Sequence, residues 1–287
     1  MPELPEVETI RRRLAPVLDG RTVADVGVSD DTVSDQSAAE LRRLAAGRRV
    51  VAVRRRGKYL AIDLGEVWFI VHLRMTGQLL FKREEGGRRP RLVLTFDPPL
   101  TLFFYDTRRF GRVWAVRRER VAGFFAEMGV EPLEAGFTVT RLRELLDARR
   151  QPLKAFLLDQ RRIAGVGNIY ADEALFRAGL HPLRAAGAVG ARGAQRLHDA
   201  LIETLELGIA NAGSSVDTFV DPEGASGTFQ ELLNVYQRTG EPCHVCGTPI
   251  ERTVVSGRGT HFCPRCQPRR RMGRHVAMRR ARSTPKE

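Results

Sequence analysis

All four cysteines of this 287-residue chain lie inside one 24-residue window, and their spacing is the strongest single constraint on its fold. Cys243 and Cys246 form a Cys-x2-Cys pair, and Cys263 and Cys266 form a second after sixteen intervening residues. Two such pairs are the signature of a four-cysteine metal site. Four thiolates on two tight turns enclose one Zn2+ tetrahedrally, and a site with no open position is structural. Pro242, Gly247, Pro249 and Pro264 supply turn chemistry, while residues 253–255 and 260–262 read as the two strands of a ribbon. The competing reading is two disulfides. A chain expected to be cytoplasmic, with no cysteine elsewhere, favours the metal. The ribbon specifies one structural zinc and says little about activity.

The rest of the chain divides by texture. Val7, Ile10, Leu14 and Val17 fall at helical spacing and predict a helix over 6–18, with Glu6 and Glu8 near its start and Arg11, Arg12 and Arg13 further on. Short β-like runs follow at 50–53, 59–64, 67–73, 92–96 and 100–105, punctuated as in a sandwich or barrel. From about residue 121 the pattern turns helical, with helices expected over 140–149, 152–160, 169–178, 190–210 and 228–236. A Gly/Ser/Asp-rich stretch at 213–227 interrupts them, long enough to suggest a functional loop. The chain therefore reads as an α+β multidomain protein: an N-terminal β-rich domain over 2–133, a helical domain over 134–237, the ribbon over 238–266 and a basic tail over 267–287.

The longest apolar run, residues 67–71, is strand-sized, and the acidic N-terminus lacks the apolar core of a secretory signal. No membrane association and a cytoplasmic location are expected. Net charge is +13, which points to a polyanionic partner, but the tail alone carries eight Lys or Arg against one Glu. Bulk charge by itself does not specify that partner.

The N-terminus, Met1-Pro2-Glu3-Leu4-Pro5-Glu6, is chemically unusual. Methionine before a small residue is commonly removed, and removal would expose a secondary amine on Pro2. An α-amino group titrates near about 8, so part of it is neutral at cellular pH. Such an amine can attack a sugar C1′ and give an iminium. Glu3 beside it could serve as a general acid toward the ring oxygen. Read alone, however, these residues are more simply a helix start with favourable dipole charges.

Other motifs shift that balance. Pro2-Glu3-Leu4-Pro5-Glu6-Val7-Glu8, Gly57-Lys58-Tyr59-Leu60, His72-Leu73-Arg74-Met75-Thr76-Gly77, Asp106-Thr107-Arg108-Arg109-Phe110-Gly111, Gly165 to Glu173 and the cysteine ribbon occur in this order over 2–266. Together they resemble the formamidopyrimidine-DNA glycosylase family. The resemblance implies an N-terminal β-sandwich with flanking helices, a helix-two-turns-helix domain and a zinc ribbon. It implies base-excision repair: removal of oxidised purines such as 8-oxoguanine and formamidopyrimidines, then β,δ-elimination at the abasic site through a Schiff base on Pro2.

The same resemblance assigns roles. Pro2 would be the nucleophile and Glu3 its acid, while Lys58 would lie near the lesion phosphate and assist elimination. Met75, Arg108 and Phe110 would fill the gap left by the extruded nucleotide, with Arg108 facing the orphaned cytosine. Asn168, Tyr170 and Lys154 would contact the DNA backbone near a helix N-terminus, and Arg149 and Arg150 would extend that contact. Arg258 in the ribbon would reach the phosphate beside the lesion and support δ-elimination. The loop at 213–227 would sense the lesion. Arg89 stands in Arg88-Arg89-Pro90-Arg91, where the family often has histidines, and would substitute as a DNA contact. Arg54, Arg55 and Arg56 read as surface charge, Arg109 as a backbone contact or surface charge, and the tail as a source of salt-sensitive DNA affinity. The implied partner is double-stranded DNA carrying oxidised bases or abasic sites, bound by a monomer in a bacterial, nucleoid-associated setting. Two alternatives remain at this point: a sister endonuclease VIII-type activity on oxidised pyrimidines, and a non-catalytic DNA-binding relative.

Overall fold

The computed structural model describes residues 1–84 and 87–269. The basic tail expected over 267–287 lies outside the described residues from 270 onward. Gln267 belongs to the ribbon instead: its side-chain carbonyl accepts from Cys263 N and its amide donates to Leu180 O, both at 2.9 Å.

The chain opens with helix α1 (Leu4–Leu18), started by a reciprocal capping box in which Glu6 Oε2 accepts from Glu3 N at 2.7 Å. Eight strands follow: β1 (Thr22–Val28), β2 (Ala52–Arg56), β3 (Tyr59–Asp63), β4 (Val67–His72), β5 (Gly77–Leu80), β6 (Leu92–Asp97), β7 (Leu100–Asp106) and β8 (Arg112–Arg117). They form two four-stranded sheets, ordered β1-β6-β7-β5 and β2-β3-β4-β8, with every pair antiparallel. Val53, Leu60, Ile62, Phe69 and Val113 of one sheet share a core with Val26, Leu94, Leu102 and Phe104 of the other. Val7, Ile10, Leu14 and Leu18 of α1 and Leu41 and Leu44 of α2 (Ala38–Ala45) join this core. The expected sandwich with flanking helices is present.

After α3 (Arg118–Phe124) come α4 (Val139–Leu146), α5 (Leu153–Leu158), α6 (Asn168–Arg177) and α7 (Ala191–Ala210), which enclose a second core around Leu142, Phe156, Tyr170, Leu175 and Leu201. The ribbon strands β9 (Glu251–Val255) and β10 (Arg258–Phe262) pair antiparallel, with Thr253 opposite Thr260. Among the described residues, no helix is long and apolar enough to cross a membrane.

Three readings need correction. The helix expected over 228–236 is only a 3-10 turn, Phe229–Leu232. Beyond it the amides of Asn234, Val235 and Tyr236 all donate to the buried Glu173 carboxylate at 2.9–3.0 Å, so they cannot feed a helical ladder. The strand expected at 50–53 sits further along as β2, which puts the arginine run within the sheet. Arg55 is accordingly no surface charge. Its side chain is 10% exposed and pairs with Glu8 at 3.2 Å and Glu131 at 2.7 Å.

Candidate active site

Helix α1 belongs to both cores. Val7 and Ile10 pack into the sandwich, while Leu4 is buried in the helical core. The chain start is therefore held where the two domains meet. Two glycines make the seat. Leu4 N donates to Gly165 O at 3.0 Å, and Gly165 has φ +91, with space for a Cβ already taken by Leu4. At Gly167 a Cβ would lie 2.3 Å from the Glu3 carboxyl carbon. These glycines admit the chain's own N-terminus. Glu3 Oε1 accepts from Ile169 N at 3.0 Å and Oε2 from Tyr170 N at 3.5 Å, so the carboxylate caps the positive end of α6.

Pro2 and Glu3 are both buried, and Pro2 lines a cavity of about 10 Å3 with Met1, Glu6, Met75, Ile169, Ser214, Asp217 and Phe219. That is room for about one water. The Met1 amine is 3.3 Å from Asp217 in the same place. Glu6 is buried beneath, where its Oε1 accepts from Tyr170 Oη at 2.7 Å and Ser214 N at 2.8 Å. Burial pushes the Glu6 carboxyl up, and the neighbouring Glu3 charge adds to the effect.

Lys58 reaches this centre from the turn between β2 and β3. It is 6% exposed, and burial pushes its ammonium down, although the Glu3 and Glu6 charges favour the cation. The Arg258 charge acts on Lys58 in the opposite direction, which puts the ribbon arginine within electrostatic reach of the Pro2 surroundings. The turn itself is fixed because Gly57 N donates to the buried Glu131 carboxylate. His72 packs edge-on to Tyr59 at 4.5 Å; burial, with the Arg74 and Lys58 charges, lowers it to about 3.

Arg108 and Phe110 stand together on the exposed 107–110 turn, the guanidinium 4.9 Å above the ring. Asp106 builds that turn, accepting from Gly111 N at 2.6 Å and Arg108 N at 3.2 Å, and from the Thr76 hydroxyl beside Met75. Phe110 is 51% exposed, a large aromatic left facing solvent. Arg109 turns away and pairs with Asp30 at 2.8 Å. Arg89, Arg149 and Arg150 are exposed. Asn168 begins α6, and its buried side-chain Oδ1 has no hydrogen-bond partner among the described residues.

Two expected DNA contacts are placed otherwise. Tyr170 is fully buried, stacked 5.0 Å from Phe229, and its hydroxyl serves Glu6. Lys154 is also fully buried, 2.7 Å from Asp172 and donating to Gly259 O at 2.8 Å. Neither presents a free polar group to a phosphate, since each is committed to an internal partner.

Three family models cover most of the chain. They are the formamidopyrimidine-DNA glycosylase N-terminal domain over 1–113, the formamidopyrimidine-DNA glycosylase H2TH domain over 128–220 and the zinc finger found in FPG and IleRS over 240–269. The sequence is 46% identical to the formamidopyrimidine-DNA glycosylase of Chloroflexus aurantiacus, over 93% of this chain and 98% of that protein. The chain belongs to the formamidopyrimidine-DNA glycosylase family. It is similar to the MutM (Fpg) protein of Thermus thermophilus, with TM-score 0.84, 45% identity, and 93% and 98% of the two chains covered. A Lactococcus lactis Fpg bound to abasic-site DNA matches with TM-score 0.86 and 34% identity over 93% of this chain and 100% of that one.

The family's zinc finger has a matching geometry here. All four cysteine sulfurs lie within 4.8 Å of one another, with Cys243–Cys266 at 3.9 Å and Cys246–Cys263 at 3.5 Å. Zn–S bonds of about 2.3 Å in a tetrahedron separate the sulfurs by about 3.8 Å. Disulfide sulfurs would sit at about 2.05 Å. The cluster fits zinc.

Sequence reasoning missed Glu6, Glu131, Asp172 and Glu173 as parts of this family member's centre and its supports. Glu6 follows Glu3 at capping-box spacing, a readable signal. Asp172-Glu173 interrupts the apolar face of α6, and a charged pair there signals internal partners. Nothing local marks Glu131.

Proposed function

We propose that this enzyme is a base-excision-repair DNA glycosylase that removes oxidised purines and then cleaves the abasic strand, with Pro2 as nucleophile. The observation that carries the reading is the grouping around Pro2: Glu3 on the α6 N-terminus, buried Glu6 and buried Lys58, with Arg258 bearing on the last. Once Met1 is removed, the Pro2 nitrogen donates its lone pair to C1′. The N-glycosidic bond breaks, and the base leaves with that bonding pair and takes up the proton that the Pro2 nitrogen sheds. Glu3 protonates the ring oxygen as the sugar opens, leaving an iminium on Pro2. Loss of a C2′ proton then expels the 3′ phosphate, and a second elimination expels the 5′ phosphate. Lys58 and Arg258 stabilise the phosphate charges during these steps.

Met75, Arg108 and Phe110 are proposed to replace the extruded nucleotide, since flipping leaves unstacked neighbours that apolar and guanidinium groups can cover. Asn168, Arg89 and Arg149 are proposed backbone contacts. One Zn2+ on Cys243, Cys246, Cys263 and Cys266 would stiffen the hairpin that carries Arg258. The partner is double-stranded DNA, met by a monomer in a bacterial cytoplasm. One Lactococcus lactis Fpg complex holds DNA with an oxidised pyrimidine, so the test includes that lesion class.

The test is borohydride trapping on duplexes with 8-oxoguanine or an oxidised thymine. A covalent adduct with the purine lesion, mapped by peptide mass spectrometry to the Pro2 nitrogen, is expected. An adduct only with the pyrimidine lesion moves the enzyme to the endonuclease VIII type. DNA binding with no adduct on either would overturn the catalytic reading. Mass measurement of the mature chain checks that Met1 is absent, because an acylated Pro2 nitrogen has no nucleophilic lone pair.

A further inference from the structure

Asp172 and Lys154 are fully buried charges that the chemistry above does not use. Lys154 lies on α5, Asp172 on α6, and both reach the ribbon. Lys154 Nζ is 2.7 Å from Asp172 Oδ1 and donates to Gly259 O at 2.8 Å. Asp172 Oδ2 accepts from His261 N at 2.9 Å and lies 3.2 Å from His261 Nδ1. The pair thus grips β10 on both sides of Thr260, one residue from Arg258. The Arg258 charge bears on both Lys154 and Lys58.

We propose that Asp172 and Lys154 are positioning residues that lock the ribbon hairpin onto α5 and α6, so that Arg258 is delivered to the strand-cleavage step. Burying two charges is costly, and a metal-bound ribbon has its own fold, so stability alone does not call for them. A rigid tie between α6, whose N-terminus holds Glu3, and the strand that bears Arg258 does. It fixes acid and arginine relative to one another, and small misplacements of such groups lower rates steeply. This inference rests on the assignment of Arg258 to elimination.

The experiment is a double-mutant cycle in the full-length zinc protein, read as the ratio of δ- to β-elimination products on abasic-site duplex DNA. Lys154→Met alone leaves Asp172 buried and unpaired, which can unfold the ribbon. Lys154→Met/Asp172→Asn removes both charges and the tie to Gly259 while keeping an acceptor for His261 N. Zinc content and thermal midpoint establish that it is folded. Expected is a fall of about tenfold in the δ-to-β ratio, with no further fall when Arg258→Ala is added, as for residues acting through one another. An unchanged ratio, or losses that multiply with Arg258→Ala, would overturn the inference. If Arg258→Ala alone leaves the ratio unchanged, the assignment of Arg258 fails and takes the inference with it.

Discussion

Gly167 shows how far a single residue controls this site. It leaves room for the Glu3 carboxylate against the first turn of α6, and a methyl there would lie 2.3 Å from the carboxyl carbon. Gly167→Ala should displace Glu3 and lower base excision by about tenfold or more. The fold should survive, because the displaced group is the end of one side chain; single-turnover kinetics beside a thermal melt would check both. Glu8 gives a pH prediction. Burial pushes its carboxyl up, but hydrogen bonds from Arg11 and Arg12 outweigh this and hold it at about 2, below the ordinary 4.5. A carboxylate depressed by folding stabilises the native state above its unfolded value, and that contribution disappears as pH falls through the folded one. Urea midpoints of the parent and Glu8→Gln should therefore differ near neutral pH and converge between about pH 4.5 and 2. A gap that stays constant with pH would refute the assignment.

At the scale of elements, α6 ties three distant segments together in ten residues. Its N-terminal amides hold Glu3, Asp172 holds β10, and Glu173 gathers the 234–236 amides. The helix was legible from its periodicity, but those three duties were not, because each partner lies far away in sequence. Strand reading shows the same limit. Strands β3, β4, β6 and β7 stood out as apolar runs, whereas β1 (Thr22–Val28), β5 (Gly77–Leu80) and β8 (Arg112–Arg117) did not. β8 alternates buried Val113 and Ala115 with polar or partly exposed neighbours, and β5 is only four residues long. The ribbon is the element that depends on metal. Chelation should release zinc, loosen β9 and β10 and lower the δ-to-β product ratio by displacing Arg258. Most far-UV circular dichroism should persist, since both large cores are independent of the cysteines. Restored zinc should restore the ratio; a ratio that survives complete zinc removal would separate the ribbon from the second elimination.

Over the whole molecule, the active site depends on how two domains are clasped. Leu4 of the first helix enters the helical core, and Phe219 of the 213–227 loop enters the sandwich core. Between them Arg55 bridges Glu8 and the fully buried Glu131, which also holds the turn bearing Lys58. Glu131→Ala should cost about 3–5 kcal/mol, because Arg55 would keep its charge in a poorly hydrated place with one partner gone. Equilibrium urea unfolding would measure the loss, and a change below about 1 kcal/mol, the scale of an exposed pair, would show that the clasp is not buried in solution. By itself the sequence determined the class of fold, the order of its parts, the cysteine site and the unusual Pro2-Glu3 start, because periodicity, turn chemistry and ligand spacing are local. Only the tertiary structure decided that Arg55 and Lys154 are internal, that Tyr170 serves Glu6, and that Gly165 and Gly167 receive the chain's own N-terminus. Whether a charge is a contact or a clasp depends on what packs against it, and burial is fixed only when segments distant in the chain meet.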